Sequence, residues 1–337
     1  MRVGPLAAVA VLALAGGAGA AAPLPPRGEI FVVGSNGAGH RNLTRTATAA
    51  EWSPTPSPDG RRIAYLRSEG MRSTIWVMNA DGSGQRRLTS GGDSEVWPQW
   101  SPDGRRLAYM VWDAAACTPV SGSGCAVTDV WTVDSDGSGQ RKVLDSAFQP
   151  RWSPDGSKLL FQRYDSNLAT LGVYVARSDG TGVRQLVRAT LWGSDRAPPA
   201  WSPTGRMVVY GVGMGAVRLH LLSVDGRRRR VLVVGSSPAW SHDGSRIAFT
   251  RKTGVWVVRT RGGKPAFLVS EPHRHGITLA WSRDGRLAYV VDRRLYVTRA
   301  LRPAKKKLIA GRAKWSSESL DLPPAWSGDG RRLYYGT

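Results

Sequence analysis

The sequence is organised by a turn motif that is best seen in Pro98-Gln99-Trp100-Ser101-Pro102-Asp103-Gly104. The motif occurs seven times, and a basic residue and an apolar run follow it each time. Its last glycines lie 39 to 52 residues apart, at Gly60, Gly104, Gly156, Gly205, Gly244, Gly285 and Gly330. A period of this length predicts the blades of a β-propeller.

The turn chemistry of the motif explains its residues. Proline suits the second position of a type I turn, aspartate tolerates the third, and glycine takes the left-handed position that closes a short hairpin. Later copies lose the proline or the aspartate, as in Thr204-Gly205 and Arg283-Asp284-Gly285, but never the glycine. The backbone conformation is therefore the fixed requirement.

Tryptophan occupies the same place in six of the seven copies, and Pro56 occupies it in the first. In a regular repeat such rings are expected to pack between blades, because an aromatic ring buries a large area. Stacking on a sugar or a base is the alternative. The six residues are Trp100, Trp152, Trp201, Trp240, Trp281 and Trp326.

A second hairpin follows each motif, as in Ile75-Trp76-Val77-Met78-Asn79-Ala80-Asp81-Gly82. Each blade is therefore predicted to have four antiparallel strands. The chain begins with a lone second hairpin at Ile30 and ends with a lone first hairpin, Trp326 to Tyr335. The predicted fold is an all-β, seven-bladed propeller closed by a blade that the N- and C-termini share, which removes free sheet edges.

These motifs resemble the TolB-like (WD-like) β-propeller repeat, and the resemblance covers nearly all of the chain after its first residues. It implies the propeller fold but says little about function, because such repeats serve adaptors, peptidase regulatory domains and sugar-acid lyases. TolB itself has six blades behind an α/β domain, which this sequence does not match. A hydrolase domain with a Gly-x-Ser-x-Gly elbow is not expected either, since the last blade ends at Thr337.

The N-terminus predicts export. Residues 1–22 have a basic start, an apolar run and small residues around Ala20, which is typical of a signal peptide, and a membrane anchor is the alternative. Residues 23–28 form a linker and residues 29–337 the propeller. The mature protein is expected to be secreted, extracellular or periplasmic, without a transmembrane segment and monomeric.

The formal net charge is +22, from 47 basic and 25 acidic residues. Such an excess favours weak attraction to polyanions, but no specific nucleic-acid site is expected, and an Arg-rich composition is the simpler explanation. The runs Arg227–Arg230 and Lys305–Lys307 are expected on outer strands, where basic residues protect a sheet edge, with a polyanion patch as the alternative.

Cys117 and Cys125 are the two cysteines of the chain, and they flank one loop. In an oxidising compartment this pair predicts a disulfide within the loop. A zinc site is less favoured, because such sites need four ligands and the loop contains no histidine.

Acidic residues precede most Trp strands and predict a binding mouth: Glu51, Asp93, Asp145, Asp195 and Asp321. If the Trp strand is innermost, these residues ring one mouth of the channel and suit a cation or a basic segment. The alternative is that they cap backbone N–H groups. His273 and His275 lie near the same mouth and form the one close histidine pair, a possible metal-binding pair without a third ligand nearby.

Two functions are compatible with these features. The first is a non-catalytic module or scaffold that binds a protein or a cell-envelope polymer, with no cofactor beyond a bound cation of unknown identity. The second is a metal-dependent lyase or hydrolase that works at the channel mouth. The scattered histidines favour the first.

Overall fold

The computed structural model describes residues 28–46, 49–70, 72–91, 93–112, 128–164, 171–189, 198–213, 217–252, 254–270, 277–291, 294–299, 307–310 and 324–336. Within these ranges the regular structure is all β, in seven sheets of four antiparallel strands. The predicted seven-bladed propeller is confirmed. No helix in the described part of the chain is long and apolar enough to cross a membrane.

The first two strands belong to the blade that is completed at the C-terminus: β1 (Ile30–Gly34) and β2 (Arg41–Asn42). Blade 1 contains β3 (Glu51–Pro56), β4 (Arg62–Glu69), β5 (Arg72–Asn79) and β6 (Arg86–Arg87). Blade 2 contains β7 (Ser94–Trp100), β8 (Arg106–Trp112), β9 (Thr128–Asp134) and β10 (Arg141–Leu144). Blade 3 contains β11 (Phe148–Trp152), β12 (Lys158–Tyr164), β13 (Leu171–Arg177) and β14 (Arg184–Ala189).

The second half of the chain repeats this order. Blade 4 contains β15 (Ala200–Trp201), β16 (Met207–Val212), β17 (Arg218–Ser223) and β18 (Arg229–Val234). Blade 5 contains β19 (Ser236–Trp240), β20 (Arg246–Arg251), β21 (Gly254–Arg259) and β22 (Ala266–Ser270). Blade 6 contains β23 (Thr278–Trp281), β24 (Arg286–Val291), β25 (Arg294–Arg299) and β26 (Lys307–Ala310). The last strands are β27 (Ala325–Trp326) and β28 (Arg332–Gly336).

The seventh sheet, here called the terminal blade, takes strands from both ends of the described chain in the order β2-β1-β28-β27. Strand β1 runs antiparallel to β28, with Ile30 opposite Gly336 and Gly34 opposite Arg332. This is the pairing that a shared blade requires. His40 adds a side-chain hydrogen bond to Tyr335 across the same junction.

The core is divided into seven apolar clusters, and each fills the gap between two neighbouring blades. The terminal blade takes part in two of them: Leu333 packs with residues of blade 6, and Tyr334 packs with Ile63 and Tyr65 of blade 1. Burial of apolar surface between blades therefore stabilises the ring at every junction.

The first strand of each blade is innermost. These strands contact one another in a continuous run, β15-β19-β23-β27-β3-β7-β11. Fourth strands such as β6 and β18 are largely exposed. The Trp strands therefore surround the central channel, which is the condition on which the predicted binding mouth depends.

The Ser-Pro-Asp-Gly turns are held by internal hydrogen bonds. In blade 2, Ser101 Oγ donates to Asp103 Oδ1 at 2.6 Å, the Arg105 N–H donates to the same oxygen at 3.0 Å, and the Gly104 N–H donates to the Ser101 carbonyl at 2.9 Å. All seven motif glycines have φ between 68° and 81°. A side chain is strained in that left-handed region, which explains why glycine, like the serine that begins the turn, occurs in all seven copies.

The tryptophans join the blades, as predicted. The six indole N–H groups each donate, at 2.9 to 3.2 Å, to a carbonyl of the preceding blade: those of Thr55, Gln99, Arg151, Ala200, Ala239 and Ala280. Pro56 has no such donor, so the described junction between the terminal blade and blade 1 lacks this bond. The tryptophans are therefore structural.

The two ends of the propeller differ. At one end, here called the turn end, short turns join the first strand to the second and the third to the fourth. At the other, the loop end, the connections leave the second and fourth strands. The described acids of the predicted mouth, Glu51, Asp93 and Asp145, begin or precede first strands and therefore lie at the loop end.

Candidate functional site

Glu51 is the first residue of β3, and its side chain is 0% exposed. Its Oε1 lies 3.0 Å from Arg67 Nε. Burial raises the pKa of Glu51, whereas hydrogen bonds from Thr46 and Arg67 and the charge of Arg67 oppose that change. Glu51 is therefore a packed, paired carboxylate, which differs from the solvent-facing position that a binding mouth requires.

Glu95 was missed by the sequence reasoning. It stands nine residues before its turn glycine, as Glu51 does, and its side chain is equally buried. Its Oε2 accepts the Ile75 backbone N–H at 2.9 Å and a hydrogen bond from Thr89. The acid of blade 2 thus caps a strand of blade 1, which favours the capping alternative. Counting residues back from the glycine would have found it.

The other predicted acids are less constrained. Asp93 is half-buried in a bend before β7. Asp145 is exposed, and its carboxylate lies 2.7 Å from Lys142 Nζ, which also contacts Asp129 at 3.2 Å. Four of the predicted mouth residues lie outside the described ranges, as do both cysteines: Asp195, Asp321, His273, His275, Cys117 and Cys125. Their roles, including the disulfide, stay predictions.

Groups of three or more metal-ligating side chains do not occur among the described residues. Among the three described acids of the predicted mouth, Glu51 pairs with Arg67, Asp145 pairs with Lys142, and Asp93 forms no ion pair with a described residue. The structure therefore does not bring them together as one cluster. The described residues therefore do not support a cation site, and the bound cation stays a prediction.

Irregular backbone marks the inner strands near the loop end. Four residues, each seven positions before a motif glycine or its equivalent, have left-handed φ values: Ser53 (57°), Trp97 (59°), Gln149 (54°) and Ser237 (49°). The pairing register shifts at each of them. Left-handed non-glycine residues and β-bulges are costly and occur often at functional sites, where a bulge redirects side chains.

A polar chain runs around the channel through blades 1 to 3. Arg151 Nη1 donates to Gln99 Oε1 at 2.7 Å, and Gln99 Nε2 donates to the Pro98 carbonyl at 2.9 Å. The same carbonyl accepts a hydrogen bond from Thr55 Oγ1 at 3.2 Å. The equivalent residue in the other four blades is alanine: Ala200, Ala239, Ala280 and Ala325. The inner ring therefore has a polar side and an apolar side.

Arg151 is the charged member of this chain. Burial lowers its pKa to about 10, so the guanidinium stays protonated at neutral pH. No acidic side chain pairs with it among the described residues. A guanidinium has five N–H donors and binds carboxylates in a two-bond geometry. Arg151 and Gln99 together can therefore hold an anionic group that enters the channel. Little in the sequence marks Arg151 as functional, since it occupies a motif position that varies between copies.

Comparison with known proteins points to one family. A family model described as TolB β-propeller domain matches residues 27–236. The Tol-Pal system protein TolB of Anaeromyxobacter dehalogenans is 57% identical over 44 residues, which are 13% of this chain and 10% of that protein. An uncharacterised protein of Agrobacterium fabrum is 28% identical over 193 residues, 55% of this chain and 61% of that protein.

A peptidase of Bacillus subtilis, YuxL, is 30% identical over 124 residues, 34% of this chain and 17% of that protein. The chain thus spans less than two thirds of each of these relatives. Among solved structures, TolB from Acinetobacter baumannii superposes with a TM-score of 0.54 at 16% identity, over 84% of this chain and 65% of that one. A prolyl endopeptidase superposes with a TM-score of 0.59 at 17% identity, over 80% and 44%. At these identities the structures show a shared fold alone.

Proposed function

The chain belongs to the TolB β-propeller domain family, and on that premise we propose that it is a non-catalytic module that binds a protein partner. A segment of the partner enters the channel from the loop end and reaches Arg151, which lies in the turn-end half of β11. One observation carries the proposal: Arg151, a protonated and half-buried guanidinium on the inner ring, has one side-chain hydrogen bond, to Gln99, and no carboxylate partner among the described residues. A carboxylate of the partner would complete its hydrogen bonding.

The contrast between the two ends supports the choice of surface. At the turn end, the serine and aspartate side chains of the repeat bond to one another and to backbone, so little of their bonding capacity is left for a partner. At the loop end, the inner strands bulge at Ser53, Trp97, Gln149 and Ser237. Connections of varied length that a rigid scaffold positions are the usual place of binding residues.

The kind of partner is proposed from the relatives. TolB of Anaeromyxobacter dehalogenans is named a Tol-Pal system protein. A partner protein in the cell envelope agrees with the signal peptide predicted in residues 1–22. Mass spectrometry of exported protein is expected to find a mature N-terminus near Ala21 or Pro23, and an intact Met1 would remove the export part of the proposal.

A second candidate is a role in hydrolysis, because a prolyl endopeptidase and the peptidase YuxL are among the similar proteins. In this case the propeller either carries a site at the channel mouth or serves a catalytic partner. Incubation of the purified chain with peptide and ester substrates, with and without divalent metal, separates the candidates. Turnover that is lost on chelation would favour the enzyme.

In vivo photo-crosslinking tests the binding proposal. A photoreactive residue replaces Asp93 at the loop end or Arg105 at the turn end; Arg105 is exposed and serves as the matched control. We expect a discrete crosslinked protein from position 93 only, and its loss in the Arg151→Ala background. Arg151→Lys, which keeps the charge, is expected to retain part of the signal. Equal crosslinks from both ends, or an unchanged crosslink in a folded Arg151→Ala variant, would overturn the proposal.

A further inference from the structure

The positive charge of the chain is concentrated in one part of the ring. Residues 206–310, which contain nearly all of blades 4 to 6, have 22 basic and 5 acidic residues. The remaining 232 residues have 25 basic and 20 acidic residues. We call blades 4 to 6 the basic arc. An Arg-rich composition alone does not explain it, because such a bias adds basic residues everywhere but does not exclude acids from one region.

In the turn of the second hairpin, one position changes from an acidic to a basic residue within the basic arc. Blades 1 to 4 carry aspartate there: Asp81, Asp136, Asp179 and Asp225. In blade 5 the equivalent residue is Arg261, and Lys264 follows. The turn keeps its backbone bond, because the Gly262 N–H donates to the Arg259 carbonyl at 2.9 Å as the Gly82 N–H donates to the Asn79 carbonyl. The charge therefore changes while the fold does not.

A pocket of about 250 Å³ lies beside this turn, at the turn end of blade 5. Its lining is Ser245, Arg246, Arg259, Thr260 and Arg261. Arg246 and Arg259 are directly opposite each other on β20 and β21, and Arg230 of blade 4 reaches over to donate to the Thr260 carbonyl. Three arginines and two hydroxyl side chains thus line a concave surface, and a fourth arginine, Arg230, is bonded to the backbone of the lining residue Thr260. Such a surface suits a phosphate group.

One carboxylate, that of Asp243, lies near the pocket. Its Oδ1 accepts the Ser245 N–H at 3.0 Å and Ser241 Oγ at 2.6 Å, and its Oδ2 accepts Ser245 Oγ at 2.7 Å. These bonds hold it in its own turn, and within the described ranges it forms no ion pair with Arg259 or Arg261. The arginine pocket keeps a net positive charge.

Large apolar side chains are exposed on the outer strands of the same three blades. They are Val231 (53% exposed) and Val234 (39%) on β18, Phe267 (45%) on β22 and Leu308 (49%) on β26. Outside the arc two further large apolar side chains are exposed, Val183 (43%) just before β14 and Trp112 (42%) on β8, so the arc has four of the six among the described residues. Basic residues mixed with protruding apolar ones are typical of surfaces that bind the interface of an anionic bilayer. A soluble polyanion would need the charges only.

We infer that the outer edge of the basic arc docks onto a bilayer that displays anionic phospholipid, and that the arginine pocket of blade 5 holds a lipid phosphate. Val231, Phe267 and Leu308 then contact the acyl boundary while the arginines contact headgroups. The surface lies at the rim and turn end, so it is separate from the loop end and leaves the channel open to a protein partner.

Vesicle flotation of the full mature chain tests the inference. The probes are vesicles of phosphatidylcholine alone, vesicles of phosphatidylcholine with phosphatidylglycerol, and soluble polyphosphate. The pocket variant is R246Q/R259Q/R261Q, the apolar variant is V231S/F267S/L308S, and the matched control is R41Q/R141Q/R188Q, which removes three exposed arginines from outer strands of the other blades. Circular dichroism checks the folding of each, and R261Q alone replaces the triple variant if that does not fold.

We expect binding to anionic vesicles that weakens as salt rises, and no binding to phosphatidylcholine alone. The pocket variant should bind about tenfold more weakly or worse, since each basic residue near an anionic surface contributes substantially. The apolar variant should also lose binding, and the control should change less than about twofold. Absence of binding, or equal losses in the control and pocket variants, would refute the inference. If polyphosphate binds tightly and the apolar variant binds as well as the wild type, the arc binds a soluble polyanion, and the proposal of bilayer docking is refuted.

Discussion

Blades 1 to 3 and blades 4 to 6 have the same architecture but different chemistry. Both halves use the same turn glycines and the same indole-to-carbonyl bonds between blades. They differ at positions that the fold does not constrain: Thr55, Gln99 and Arg151 against alanines on the inner ring, and nearly balanced charge against a strong basic excess on the rim. The repeat thus specifies the scaffold, and the variable positions carry the features from which function is proposed.

The largest expected effect concerns the tryptophans, which test whether the halves are equally well packed. Trp152 in blade 3 is 8% exposed and Arg106 stacks on it, with the guanidinium carbon 5.2 Å from the ring centre, whereas Trp240 in blade 5 is half-buried. Trp152→Ala should lower the free energy of unfolding by about 3–5 kcal/mol. Trp240→Ala should cost less, because it buries less area. Urea denaturation measures both.

The variants Trp152→Phe and Trp240→Phe are the control. They keep most of the ring but lose the indole bond, so each should cost about 1 kcal/mol for that bond, plus the loss of ring area. Equal losses at the two alanine variants would show that the packing of the halves does not differ.

A smaller effect is expected at the turn aspartates. Asp155 in blade 3 and Asp243 in blade 5 each have a pKa lowered to about 2, chiefly by hydrogen bonds from Ser153 and Ser241. A lowered pKa means that the stabilisation is present above the unfolded value near 4 and disappears as pH falls toward 2. Each Asp→Ala change should cost about 1 kcal/mol at neutral pH, since these exposed bonds are partly screened.

Asp155 and Asp243 also test the difference in charge between blades 1 to 3 and blades 4 to 6. Asp243 is a rare acid in the basic arc, and its loss leaves Arg246 and its neighbours less compensated, so Asp243→Ala should cost more than Asp155→Ala at low salt. Melting temperatures between pH 2 and pH 7 check this; a wild-type advantage that persists at pH 2 would contradict the assigned cause.

The smallest effect concerns charge itself. Arg228 lies in a run of four arginines, so Arg228→Gln should raise the free energy of unfolding by a few tenths of a kcal/mol at low salt, because it relieves repulsion. Arg105→Gln in blade 2, where acids are more frequent, should be neutral or slightly destabilising. Both differences should vanish at about 1 M salt, where screening is strong. A loss of stability in Arg228→Gln would show that the arc is not electrostatically strained.

Much of the fold could be predicted from the spacing of the motifs, because each repeat contains the same turn and the same strand pattern. Seven glycines at a regular interval predicted seven turns, and the tryptophans predicted contacts between blades, since both features depend on local backbone or on the next repeat. The candidate site was harder to read. Grouping acids by proximity to the motif placed Glu51 at a mouth, whereas the structure buries it against Arg67; Glu95, in the same register, was overlooked.

What the sequence by itself determined is the repeated unit: its turns, its strands and the number of blades, because these follow from local conformational preferences and periodic burial. What only the tertiary structure decided is which variable residues meet. Arg151 reaches Gln99 from 52 residues away, and Arg230 joins the turn of the next blade at Thr260. Such contacts depend on the rotation between blades and on the direction of each side chain, and sequence spacing does not encode either.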